Sequence, residues 1–281
     1  MENKTHAILC PNCGKLVSRN SEECYNCGYK KPGRVYSNQH MFKFFSGQIS
    51  YVQGIIIACV GLYVFAILLM PSALLHPGGG GFLNLLAPDF GALLKLGMTG
   101  HLSYTSGMVV KLPVWTNITA IYLHGSLLHI LFNMLWMRQL GPAVEQLYGS
   151  ARFFLIFTIA GVAGFLLSGI FSTVPTLGAS GSIFGLLGAI VYYGRDRGGM
   201  FGQAIYRQYL QWAVVLFLIG FMMSGVNNWA HGGGFIGGYA SALFLGYQEK
   251  KRERLSDRYL ALGTLILTIM AFLMTFIKNF V

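Results

Sequence analysis

Apolar runs of about 20 residues recur along this chain, each long enough to cross a hydrocarbon layer ~30 Å thick as a helix. Composition agrees: of 281 residues, 54% are hydrophobic and 10% charged, against roughly 45–50% and 25% in soluble domains. Mean hydropathy is +0.55. The chain therefore reads as an all-α polytopic membrane protein.

Seven spans are expected, over 51–70, 126–146, 153–171, 180–193, 208–223, 229–247 and 259–277. Ahead of them lie a polar head (1–34) and a linker (35–50), so the membrane domain is 51–281. The long loop 72–125, with glycines at 78–81, is expected to rest partly in the outer leaflet. A net charge of +11 would suggest nucleic acid in a soluble domain, but here the cations sit in short loops. Seven fall in the N-terminal segment, two around the second connection between spans (Arg138, Arg152), three in the fourth (Arg195, Arg197, Arg207) and five in the sixth. The opposite side holds only Lys95, Lys111 and Lys278. The positive-inside rule then puts the N-terminus in the cytoplasm and the C-terminus outside, in the plasma membrane, with no nucleic-acid partner. No apolar leader with a cleavage site precedes the head, so the N-terminus is expected to be retained. The absence of an internal repeat weighs against an inverted-repeat transporter.

The head holds Cys10-Pro-Asn-Cys13-Gly and Cys24-Tyr-Asn-Cys27-Gly. Each Cys-x-x-Cys knuckle lets two thiolates reach one ion, and four sulfurs close a tetrahedral structural Zn²⁺ site. Two disulfides or a redox pair is the competing reading. A reducing cytoplasm and the matched knuckles favour the metal. Zinc would be the main source of stability for so short a segment. Its partner, if it has one, is unknown from sequence. Cys59, inside the first span, reads as a packing residue.

Polar groups inside a span are costly and are functional candidates by default. Four stand out: His129, Asn133, Ser180 and His231. His129 and Asn133 share one face of the second span, one turn apart, and Ser126 is a suitable N-cap ahead of them. The second, fourth and sixth spans all run from outside to inside, so their first turns share one depth. The fourth span, with 14 residues, covers ~21 Å of the ~30 Å core. Anchored by Arg195 and Arg197, it would hold Ser180 below the outer surface, after the irregular stretch 172–177. Such backbone is tolerated there only against protein or a water-filled cavity. Gly181, Gly185 and Gly188 on the fourth span, with Gly233, Gly234, Gly237 and Gly238 on the sixth, let two backbones approach closely. That approach would bring Ser180 and His231 within reach as nucleophile and general base. No acid lies in a span except Glu145 at an inner end, which leaves a dyad. The alternative is that Ser180 only caps its helix and the histidines are core residues. Four such residues at one depth favour function. His124 reads as structural.

These residues resemble a family, the rhomboid intramembrane serine proteases. The stretch His124-Gly-Ser-Leu-Leu-His129-Ile-Leu-Phe-Asn133 is similar to its second-helix motif, and Gly178-Ala-Ser180-Gly181 to its nucleophile motif. Ala230-His231-Gly-Gly-Gly-Phe-Ile-Gly-Gly238 is similar to its histidine motif. The resemblance covers about residues 50–281 and implies a six-helix core plus a seventh C-terminal helix; it does not extend to the zinc ribbon ahead of them. It also implies Ser180 as nucleophile, His231 as base, and an oxyanion hole formed by the Ser180 amide with His129 and Asn133. The substrates implied are transmembrane segments of other proteins, cut near the outer face within the lipid bilayer. A catalytically inactive client-binding relative is the alternative. Two departures stand out. Trp115 is followed by Thr116 where the family often has Arg, and Phe184 stands where Tyr is frequent, still able to stack on His231.

Overall fold

The computed structural model describes residues 7–10, 15–18, 20–31, 50–71, 84–103, 108–223 and 225–281. The chain divides into two compact units, Met1–Ile49 and Ser50–Val281. In the smaller unit, β1 (Ala7–Leu9) pairs antiparallel with β2 (Leu16–Ser18). The larger unit is helical. Its described elements are α1 (Tyr51–Leu69), α2 (Phe90–Lys95), a hairpin of β3 (His101–Ser103) and β4 (Val109–Lys111), and α3 (Thr116–Thr119), which tightens into a 3₁₀ turn at Ala120–Tyr122. Six long helices follow: α4 (Leu127–Tyr148), α5 (Ser150–Phe171), α6 (Ser180–Arg197), α7 (Gly199–Met222), α8 (Asn228–Leu245) and α9 (Leu255–Phe280).

Four of these, α1, α5, α7 and α9, are individually long and apolar enough to cross a membrane, and the pair α3 with α4, bent by 90°, makes up to a fifth. The fold is that of an all-α polytopic membrane protein. Helix α6 is less apolar because Arg195, Asp196 and Arg197 form its last turn, and α8 because glycines, Asn228 and His231 replace long apolar side chains. Their surroundings explain why this is tolerated. Helix α6 is buried without a break from Gly181 to Gly194 and packs against α8, α5, α7 and α4. A Cβ at Gly234 or Gly238 would overlap the carbonyl of Gly181 or Gly185, so α6 and α8 meet backbone to backbone. Gly233 and Gly237 do not join that face. They turn instead toward Gly164 and Ala163 of α5.

Local signals set the helix starts. The Ser50 side chain accepts from Gln53 N, and the Gln53 side chain accepts from Ser50 N in return, a reciprocal cap that opens α1. Ser126 caps α4 through His129 N, as its place in the sequence anticipates.

Several expected boundaries move. Helix α6 has 18 residues and covers ~27 Å, so the expected shortfall shrinks to ~3 Å. Arg195 and Arg197 are its last turn rather than a loop. Helix α7 starts at Gly199, which puts Arg207 inside it, and Arg138 lies within α4. Helix α5 starts at Ser150, so Arg152 is a helix residue and not a loop cation. Removing these five residues from the loop count leaves its asymmetry in place. Part of the 72–125 loop is also less peripheral than expected, since Ala120, Ile121, Tyr122 and Leu123 are core residues.

Arg152 is fully buried. Its Nε and one terminal nitrogen meet Asp257 Oδ2 at 2.8 and 2.7 Å, and its other donors reach the carbonyls of Gly246, Lys251 and Arg252. Asp257 also accepts from Arg254 N at the start of α9. This network fastens α9 and the end of α8 to the start of α5.

Candidate active site

Ser180 opens α6, and His231 sits in the first turn of α8. The close α6–α8 contact brings His231 Nε2 to 2.9 Å from Ser180 Oγ. Phe184, one turn into α6, stacks on the imidazole at 4.3 Å and 15° between planes, which fixes the ring's orientation. His231 Nδ1 is buried and, among the described residues, has no hydrogen-bond partner, so no carboxylate completes a triad. For Nε2 to accept the hydroxyl proton, the ring proton must reside on Nδ1.

His129 lies on the other flank of Ser180. Its Nδ1 accepts from Gly125 N at 3.3 Å, so in the neutral ring the proton is on Nε2. That edge faces the turn leading into Ser180: a Cβ at Gly178 would come within 2.7 Å of His129 Cε1 and Nε2. Gly178 also has φ +121°, a conformation other residues rarely adopt. Only glycine admits both. Asn133 is buried one turn further along α4 and donates from Nδ2 to the His129 carbonyl at 2.8 Å. Its Oδ1 has no partner, and no hydrogen bond links Asn133 to Ser180 or His231 among the described residues. The structure thus brings Ser180, His231 and His129 around one turn and puts Asn133 directly behind His129. His124 is fully buried and packs edge-on against His129 at 5.1 Å.

In the smaller unit, the Sγ atoms of Cys10, Cys24 and Cys27 all lie within 4.8 Å of one another. Cys10 and Cys27 are 3.7 Å apart, far beyond the ~2.05 Å of a disulfide. The turn after Cys24 closes through Gly28 N to Cys24 O at 2.8 Å. Cys13 lies outside the described residues.

The sequence profile of the rhomboid domain matches residues 111–248, which hold Ser180, His231, His129 and Asn133. The chain is 34% identical over 143 residues to the "Putative rhomboid protease YdcA" of Bacillus subtilis (strain 168), covering 50% of this chain and 70% of that one. The chain belongs to the rhomboid family. It is also 41% identical over 132 residues to the rhomboid protease GluP of the same organism, covering 47% of this chain but only 26% of that protein. With the rhomboid protease GlpG of Salmonella newport (strain SL254) it shares 33% identity over 152 residues, or 51% and 53% of the two chains. Helices α1 and α9 lie outside the profile match.

Around this rhomboid core, the structure reveals supporting residues that the sequence reading passed over. Asn227 caps α8 through Ala230 N, while its Nδ2 donates to Ser168 Oγ at 2.6 Å and Thr176 Oγ1 at 2.9 Å. It thereby ties the start of the His231 helix to the end of α5 and to the stretch before Ser180. Thr176 forms a backbone bridge with Thr99. Thr99 Oγ1 in turn accepts from Thr116 and donates to Asn117. At the position of the Trp-Arg departure, Thr116 is thus buried and holds its loop with neutral hydrogen bonds. An Asn one residue before an apolar helical run is an N-cap signal that could have flagged Asn227.

Proposed function

We propose that this protein is an intramembrane serine endopeptidase that cleaves transmembrane segments of membrane proteins near the outer face. The observation that carries this reading is the 2.9 Å Ser180–His231 hydrogen bond, with the imidazole held in plane by Phe184. Ser180 Oγ attacks the substrate carbonyl carbon while His231 Nε2 takes the hydroxyl proton, giving a tetrahedral intermediate. The oxyanion develops at the N-terminus of α6, where the Ser180 amide, the His129 Nε2–H and the Asn133 amide are the available donors. His231 then gives its proton to the leaving amine. Water then attacks the acyl carbon as His231 takes its proton, and His231 returns that proton to Ser180 Oγ as the acyl–oxygen bond breaks, which frees the carboxyl product and restores the serine. No cofactor takes part in these steps.

With seven spans in the plasma membrane, the cation asymmetry supports a cytoplasmic N-terminus and therefore a C-terminus outside. For the smaller unit we infer a structural Zn²⁺ ribbon held by Cys10, Cys13, Cys24 and Cys27. Four thiolates ~2.3 Å from a tetrahedral ion lie ~3.8 Å from each other, and the Cys10–Cys27 separation of 3.7 Å fits that spacing. The ion would fold the head and take no part in proteolysis.

Reconstituted into vesicles with a set of single-span membrane proteins, the wild type should cleave at least one within its span, and Ser180→Ala should cleave none while melting at the same temperature. Co-purification of uncut membrane proteins with wild type and Ser180→Ala alike, without any cleavage product, would support a client-binding protein instead.

A further inference from the structure

We infer that α9 positions the nucleophile: it backs the segment between α1 and α4 at two points, and that segment holds the backbone turn that carries Ser180. The inference deepens the protease reading and rests on it only for its kinetic consequence. Helix α9 lies outside residues 111–248, which match the rhomboid profile. Among the described residues, no hydrogen bond or ring contact joins it to Ser180 or His231, so any influence on the site must pass through what it holds.

The first point is a ring. Phe272 of α9 meets Tyr122 edge to face, with centroids 5.9 Å apart and 63° between planes. Tyr122 is buried, ends the 3₁₀ turn Ala120–Tyr122, and also meets Phe157 of α5 at 6.2 Å. Two residues back in that turn, the Ala120 carbonyl accepts from Gly178 N at 2.9 Å.

The second point is the end of α9. Asn279 Nδ2 donates to the carbonyl of Lys95, the last residue of α2, at 2.9 Å. One turn earlier, Thr275 faces Gly97, where a Cβ would come within 3.1 Å of the threonine methyl. The chain then runs to Thr99, whose backbone exchanges two hydrogen bonds with Thr176, at 3.1 and 2.8 Å. Gly100 follows, so close that a Cβ on it would lie 2.7 Å from the Val174 carbonyl oxygen.

Both routes end on the same strip of backbone. Thr176 and Gly178 donate their amides to the segment that α9 backs, immediately before the chain enters α6 at Ser180. Those two bonds fix the entry of the chain, and with it the aim of the Ser180 hydroxyl at His231 Nε2. A misplacement of about 1 Å at a reacting group can cost up to ~10²-fold in rate. Phe272 and Asn279 are therefore positioning residues.

The test uses the full-length chain, well below the thermal midpoint of every variant. Hydrogen exchange of peptides covering 172–179 is read by mass spectrometry, and Ser180 reactivity by a fluorophosphonate probe at several concentrations. Phe272→Ala and Asn279→Ala should each speed exchange at 172–179 by about tenfold. Each should also slow the maximal labelling rate by about tenfold, with the half-saturating probe concentration unchanged. Phe272→Tyr keeps the ring contact and should match the wild type in both. Unchanged exchange at 172–179 in the double variant would overturn the inference. So would a rise shared equally by the peptides of α6 and α8, or labelling at the wild-type rate despite faster exchange. If the wild type itself resists the probe, the protease reading fails separately, and the exchange comparison alone decides whether α9 holds the turn.

Discussion

Arg152 at the start of α5 and His231 at the start of α8 are both buried polar groups on one antiparallel helix pair, and their surroundings differ in kind. Each donor of Arg152 has an acceptor, and the charge is matched by Asp257. Near the other end of the pair, among the described residues, His231 Nδ1 and the neighbouring Asn133 Oδ1 are buried without partners, and the Ser180 hydroxyl has one neutral bond, to His231. A closed network fixes one geometry, and removing any member strands the others. Open donors and acceptors cost stability but stay available to a reacting molecule. The helix pair is clamped at one end so that chemistry can be left unfinished at the other.

Breaking the closed end should have the largest effect on folding. Arg152→Ala strands the Asp257 carboxylate and three carbonyls, and should cost about 3–5 kcal/mol, read as a lowered thermal midpoint in detergent. An unchanged midpoint would mean that the network does not hold α9. Asn133→Ala probes the open end. It should slow cleavage by up to ~10²–10³-fold, in kcat more than in KM, with little change in melting. A loss of activity that only follows loss of stability would remove Asn133 from the oxyanion site. Asn227→Ala lies between the two cases. It removes a cap worth about 0.5–2 kcal/mol and loosens the start of the His231 helix, so kcat should fall together with a modest drop in midpoint. Asn227→Ser should restore the cap but not the bonds to Ser168 and Thr176, so a full recovery of kcat would argue that capping alone matters. The smallest effect belongs to the head. A chain lacking residues 1–34 should cleave at the full rate, and inactivity of a well-folded truncation would contradict the separation of head from catalysis. Zinc analysis of the full chain should give about one equivalent, lost on Cys24→Ser.

The same contrast governs how much was legible in the sequence. The spans, the Ser126 cap and the glycine faces leave marks at fixed spacing, so the bundle and the meeting of α6 with α8 could be read. Arg152 could not, because an arginine near the end of an apolar run looks like a loop cation. Only its partner 105 residues away reveals it as a buried clamp. The inner end of α6 was cut short for the same reason, since Arg195, Asp196 and Arg197 continue the helix where polarity suggested a stop. The linkage from Thr116 through Thr99 and Thr176 to Asn227 joins neutral side chains from distant segments, and no periodicity announces it. At the candidate site, spacing put His129 and Asn133 on one face. It did not reveal that the Asn133 amide donates to the His129 carbonyl or that Gly178 makes room for the His129 ring.

The central claim is that His231 activates Ser180, and covalent labelling tests it without a substrate. A fluorophosphonate probe should modify the wild type at Ser180, located by mass spectrometry of the labelled peptide. Ser180→Ala and His231→Ala should both remain unlabelled, because a hydroxyl without its base is a poor nucleophile. Asn133→Ala should still react, since the small probe depends less on the oxyanion site. Labelling of His231→Ala at the wild-type rate, or an adduct on another serine, would contradict the account.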